Sequence, residues 1–152
     1  MNKMQKIPKI EPVDVSFVHR LSLMSHIYYF ERPLLSHFKS KEGDDFLYQW
    51  ADSDESYNRW LLIPVEPLCL RDFFRGHISQ RELALRPKTE HIWIVDLDDN
   101  ISPQFVGKLN SQLIPESYLP SPNSYFDPEL TTMFGDGYLE LANRTVQLQQ
   151  MV

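Results

Sequence analysis

Three carboxylates close an apolar run in the second half of the chain, where Ile92, Trp93, Ile94, Val95 and Leu97 lead into Asp96, Asp98 and Asp99. An acid at a strand end can attack a phosphoryl group, and a second acid two residues on can serve the leaving group beside Mg²⁺. A pair of histidines offers different chemistry. A two-residue turn at Glu31-Arg32 sets His26 opposite His37 on neighbouring strands, and two facing imidazoles are half of a zinc site. Neither constellation is complete. Three ligands from one short loop do not finish a cation site, and spacing fixes no third ligand for the histidines. His26, His37, Asp96 and Asp98 are therefore the metal candidates of this sequence, and the expectation is that no metal or other cofactor is bound. Ser79 stands three residues before Glu82, the spacing of a capping box, so it is expected to cap a helix rather than act as a nucleophile. His77 and His91 flank the same region and are expected to be structural. No G-x-S-x-G elbow, phosphate-cradling glycine loop, CxxC pair or HExxH run occurs, and five glycines leave little material for one.

The elements that must position these residues follow from hydrophobic period. Residues 25–30 and 34–38 are rich in aromatic and β-branched side chains and flank a tight turn at Glu31-Arg32-Pro33, which predicts a hairpin. Phe46, Tyr48 and Trp50 alternate with Leu47 and Gln49, and residues 57–65 resume the alternation after a polar break, predicting a second hairpin whose last strand ends at the sheet margin at Pro64. The run through Ile92 and Leu97 is continuous enough for a strand covered on both faces. Between these strands the period lengthens. Pro67 suits a first helical position, Leu68, Leu70, Phe73 and Phe74 share a face, and Gly76 is placed to end the helix. After Asp98, prolines recur and only residues 105–113 have the pattern of a short helix; the segment is expected to wrap the sheet, anchored by Tyr118, Leu119, Tyr125 and Phe126.

These elements amount to an α+β fold: a small, mainly antiparallel β-meander of four or five strands with a short helical insert and a Pro-rich C-terminal wrap. Residues 1–14, with Lys3, Lys6, Lys9 and two prolines, are expected to form a flexible N-terminal arm; residues 15–128 form one α+β domain; residues 129–152 pack on it as a helix or a hairpin. A net charge of −6 with fifteen Lys and Arg over the whole length argues against a nucleic-acid binder. No stretch approaches the apolar length of a membrane span, and no apolar region follows the N-terminal lysines as an export signal requires. A soluble, cytoplasmic protein is expected. The single cysteine, Cys69, lies in the apolar run of residues 68–70 and is expected to be a buried, inert thiol.

Two resemblances bear on this reading. The sequence IWIVDLDDN is similar to the first motif of haloacid-dehalogenase-type phosphatases, but Asn100 stands where that family places a Thr. Only about fifty residues remain for its Lys and second acidic motif, and no βαβ series precedes it. Acids that close a strand and open a turn account for the run. The second resemblance covers about two thirds of the chain. The YYFERPLL turn, the WLLIPV strand, the RDFFRG helix end and the HIWIVDLD strand, with the IPESYLPSP segment at residues 114–122, resemble a small bacterial family catalogued only as a domain of unknown function. The region between Pro64 and His91 is shorter than in that family's pattern. The resemblance implies a bacterial, cytoplasmic setting and no settled activity.

Two functional classes follow. The first is a non-catalytic protein-binding or accessory module of a bacterial multi-protein system, of a defence or toxin–antitoxin kind. The second is a small enzyme, for example a hydrolase, whose site is assembled from scattered Asp, His and Arg residues. The absence of convergent polar motifs favours the first. Its contact surface is expected at the aromatic first hairpin and the Pro-rich wrap, on Tyr28, Tyr29, Tyr118, Tyr125 and Phe126, with a protein partner or a second copy as the occupant.

Overall fold

The computed structural model describes residues 4–100 and 102–129, and in them the alternation of apolar residues is resolved into seven antiparallel strands. They are β1 (Glu11–Pro12), β2 (Leu21–Phe30), β3 (Arg32–Ser40), β4 (Asp45–Ser53), β5 (Tyr57–Val65), β6 (His91–Asp98) and β7 (Pro103–Asn110). Strands β2 to β7 form an uninterrupted meander and β1 adds to the β7 edge, giving the order β1-β7-β6-β5-β4-β3-β2. The α+β class is as expected. The strand count is larger than four or five because the expected N-terminal arm supplies β1 and because residues 105–110, expected within a short helix at 105–113, extend as part of β7. Gly107 is a poor helix former, and the long apolar β6 needs a ladder partner on its second edge, which β7 supplies from Leu97↔Pro103 to His91↔Asn110.

Pro64 tolerates its strand for a local reason. Strand β5 lies between β4 and β6, not at the margin, but its pairing with β6 ends at Leu62↔Trp93, so the missing N–H removes no ladder bond there. Helix α1 (Pro67–Phe74) starts on a proline and is followed by Gly76 at a φ of +76°, which only glycine adopts without strain. Of the four residues expected on its apolar face, Leu70 and Phe73 are buried, Phe74 is partly buried against them and Leu68 is exposed. Helix α2 (Gln80–Leu85) begins with the expected capping box: Ser79 Oγ accepts from the Glu82 N–H at 3.1 Å, and Glu82 Oε1 accepts from the Ser79 N–H at 3.3 Å.

Both helices cover one face of the sheet. There Leu35, Leu47, Leu61, Ile63, Ile92, Ile94 and Leu109 meet Leu70, Phe73, Leu83 and Ala84, with Ile114 and Tyr118 from the C-terminal wrap closing the layer. The N-terminal stretch, expected as an arm, also contributes: Ile7 and Ile10 pack against this core. Ile10 reaches it because position 107 lacks a side chain. A Cβ on Gly107 would stand 2.5 Å from Ile10 Cγ1 and 2.8 Å from Phe105 Cε2.

The other face curls. Between β1 at one edge and β2 at the opposite edge lies the 3-10 helix Val15–Arg20. Six strand spacings of a flat sheet measure about 29 Å, whereas six 3-10 residues advance about 12 Å and three extended residues add about 10 Å. The edges must therefore approach each other, with the 3-10 helix bridging them across a concave face. That face carries a second cluster of Phe46, Tyr48, Trp60, Leu62, Val95 and Val106, against which Phe17 and Val18 of the bridge are packed. The C-terminal element expected at residues 129–152 lies, apart from Glu129, outside the described residues.

Candidate functional site

Alternate residues of the same strands build both faces, so the concave one inherits side chains one position out of phase with the covered core. Tyr48 and Trp60 stack with ring centroids 5.1 Å apart and planes 7° from parallel, and Phe38 meets Tyr48 edge-on at 5.2 Å. Further along, Phe17 of the bridge stacks on Trp93 at 5.0 Å, and Phe46 meets Trp93 edge-on. The bridge covers this second group and leaves the first exposed to a cavity of about 610 Å³. Phe38, Tyr48, Trp60, Leu62, Val95 and Leu97 line its interior. A volume of this size lies within the range of small-molecule pockets, and its lining is largely apolar and aromatic.

The mouth is polar. The tips of the β2–β3 and β6–β7 hairpins bring Glu31, Arg32, Asp98 and Asp99 to it, and His26, Tyr29 and Asn58 line its wall. Most of these groups are held rigidly. Asn58 Oδ1 accepts from Arg32 Nη1 at 2.9 Å and from Trp50 Nε1 at 3.0 Å, while the Arg32 guanidinium lies over the Trp50 ring at 5.3 Å. Trp60 Nε1 donates to the Pro33 carbonyl at 2.9 Å. Asp98 closes its own turn: Oδ1 accepts from the Asn100 and Ser102 N–H groups and Oδ2 from Gln104 Nε2. Glu31 turns the chain with a φ of +62°, a left-handed conformation that glycine adopts at lower cost. His26 shares a 2.7 Å hydrogen bond with Ser36 Oγ, and burial lowers its pKa, favouring the neutral ring. Burial pushes the Tyr48 phenol well above its ordinary range, reinforced by the Asp96 charge.

The expected histidine pair is not formed. The β2–β3 register places Ser25 opposite His37 and His26 opposite Ser36, because the turn pairs Phe30 with Arg32 and leaves Glu31 alone at its tip, one residue short of the expected two-residue turn, and the register shifts on either side of Tyr28 cancel. A one-residue displacement sends the two rings to opposite faces. His37 enters the covered face, where Nε2 lies 2.7 Å from Asp45 Oδ1 and so carries the proton, while its buried Nδ1 meets no partner among the described residues. Asp96 is likewise on the covered face, bound by Arg59 through two bonds of 2.8 and 2.9 Å. Burial works against the Arg59 charge, but the hydrogen bonds and field of Asp96 outweigh it and raise the Arg59 pKa. Among the described residues no three His, Cys, Asp or Glu groups stand together as metal ligands.

The Arg59–Asp96 pair belongs to a polar network that spacing did not reveal. Arg59 Nη1 donates to the Tyr118 hydroxyl at 3.2 Å, and Tyr118 donates to Asp52 Oδ2 at 2.8 Å. Burial, then the bond to Asp52, pushes the Tyr118 pKa up to about 12 against the opposing Arg59 bond. Gln49 Nε2 donates to the Tyr118 carbonyl, and Gln80 Nε2 donates to Gln49 Oε1. These bonds fasten the wrap and α2 to the sheet.

The five aromatic residues expected at a contact surface separate into two groups. Tyr118 is buried at 4% exposure, Phe126 packs against Tyr28, Phe73 and Phe74, and the Tyr28 hydroxyl accepts from the Asp127 N–H at 2.9 Å. Tyr29 is 39% exposed at the cavity wall, beside His26, and Tyr125 is 48% exposed on the other side of the sheet, bridged to Ser79. Cys69 is half-buried, and burial, followed by the charges of Asp72 and Glu66, raises its thiol pKa. No helix among the described residues is long and apolar enough to cross a membrane.

Comparison with curated proteins and with solved structures finds no match. Comparison with protein families matches residues 13–135, which hold β2 to β7, the bridge and both helices, to the Family of unknown function (DUF6575), and the chain belongs to that family.

Proposed function

We propose that this protein is a non-catalytic binding module that receives a side chain of a partner protein in the aromatic hollow of its concave sheet face. One observation carries the reading: the unequal covering of the two faces. Two helices and the wrap close one of them, whereas the short bridge leaves Tyr48, Trp60 and Leu62 at the floor of an open cavity. Exposed Tyr29 lines the same cavity, where tyrosine offers apolar area with a polar tip to an incoming surface. The acids, histidine and arginine most able to do chemistry, Asp96, His37, Asp45 and Arg59, are engaged with one another under the opposite face. Within this reading the protein is an accessory subunit of a bacterial cytoplasmic assembly.

The hollow is tested with an uncharged aromatic probe, N-phenyl-1-naphthylamine, added to the full chain. Saturable fluorescence enhancement is expected, lost when Leu97→Trp fills the cavity while circular dichroism and the melting temperature stay near those of the parent. No enhancement, or enhancement unaffected by Leu97→Trp, overturns the reading.

A further inference from the structure

We propose that the partner segment seated in the hollow carries a lysine or arginine beside its apolar side chain. This rests on the binding reading above and adds the chemistry of the occupant. Four formally charged groups line the mouth, the carboxylates of Glu31, Asp98 and Asp99 and the guanidinium of Arg32, so it is net negative, as is the whole chain at −6. Two histidines, His19 and His26, also line the cavity and carry no formal charge in this count, and burial favours the neutral form of His26.

The groups also differ in what they are free to do. Arg32 is bonded to Asn58 and laid over Trp50, and Asp98 accepts three hydrogen bonds within its turn. Glu31 and Asp99 have no such engagement among the described residues. They stand on two separate hairpin tips flanking one apolar cavity, so a cation entering between them gains two carboxylates and the π faces at the rim, while its apolar neighbour fills the floor. An anionic segment would meet the same two charges as repulsion. Glu31 is held at its tip by the left-handed turn, which projects this position at the mouth whatever the side chain.

The test titrates the full chain, labelled at its methyl groups, with acetyl-Phe-Lys-amide and acetyl-Phe-Glu-amide at low salt. The Lys peptide is expected to bind about tenfold more tightly, each exposed pair contributing modestly, with the difference shrinking as salt is added. In a Glu31→Gln, Asp99→Asn double variant the preference disappears while N-phenyl-1-naphthylamine still binds. Equal affinities, a preference for the Glu peptide, or a preference that survives the double variant overturns the proposal and leaves the binding reading standing. Failure of the uncharged probe as well overturns both. Shifts of the hollow's methyl groups that track protein concentration instead identify a second copy as the occupant and also overturn it.

Discussion

The two faces of this sheet are made by the same strands and yet are finished differently. On β5 and β6, Leu61, Ile63, Ile92 and Ile94 point into a core closed by two helices, and Trp60, Leu62 and Val95, one residue out of phase, point into a concavity that a six-residue bridge covers only in part. The closed face also takes the buried charges, each with a partner, whereas the open face keeps its charges at the rim. The difference teaches that burial alone does not separate structural from functional side chains. Leu61 and Leu62 are equally buried, but only the second borders the cavity in which binding is proposed.

The largest effect is expected where the closed face loses a core side chain. Phe73→Ala is expected to cost about 3 to 5 kcal/mol, and Trp60→Ala, which enlarges a space already open to solvent, stays near the lower end, about 3 kcal/mol. The reverse order would equate the two faces. Asp96→Ala leaves the part-buried Arg59 without its carboxylate, holding only its bonds to the Gln5 carbonyl and the Tyr118 hydroxyl, at a cost of about 3 kcal/mol in chemical denaturation, and an Arg59→Met, Asp96→Leu double variant recovers most of it. A small loss in the single variant would mean that the closed face admits water.

Gly107→Ala is expected to cost about 1 to 3 kcal/mol, because the new methyl displaces Ile10 from the closed core. A parallel loss of Ile10 protection in a proteolysis assay checks that cause. The open face supplies a pH effect. His26 has a folded pKa below its ordinary value of 6.5, so the unfolded chain binds a proton first as pH falls. Stability from this group is therefore full above about 6.5 and declines as pH drops below it towards the folded value. The melting temperature should fall less between pH 7 and 5 in His26→Gln than in the parent. Smallest of all, Tyr29→Ser should change stability by no more than about 0.5 kcal/mol while weakening association with a partner. A proportional loss of both would make Tyr29 part of the core.

Much of this architecture is legible in the sequence, and the misses have local causes. Period-two runs locate β2 to β6, and Pro67, Ser79 and Glu82 locate the helices, because caps and alternation are short-range signals. Strand β7 is obscured because Phe105, Val106 and Leu109 also fit a helical face, and only its pairing with β6 decides between them. The histidine pair fails because the turn holds Glu31 alone between Phe30 and Arg32, and a left-handed single-residue tip at a glutamate is not announced by its residue type. Arg59 and Asp96 do carry a signal: each is a charged residue on the core-facing phase of its strand, opposite the other, and two such residues on neighbouring strands imply a buried ion pair. The hollow itself depends on the length of the bridge against the width of the sheet, which requires the strand order to be known first.

The central claim is that the phase holding Leu62 and Val95 is a recognition surface while the phase holding Leu61 and Ile94 is structural. Methyl-resolved NMR of the full chain during titration with N-phenyl-1-naphthylamine reads both phases in one experiment. The account predicts saturable shifts at Val18, Leu21, Leu62, Val95 and Leu97, with the methyl groups of Leu61, Ile63, Ile92 and Ile94 moving little; shifts confined to the second set, or spread evenly over both, would contradict it.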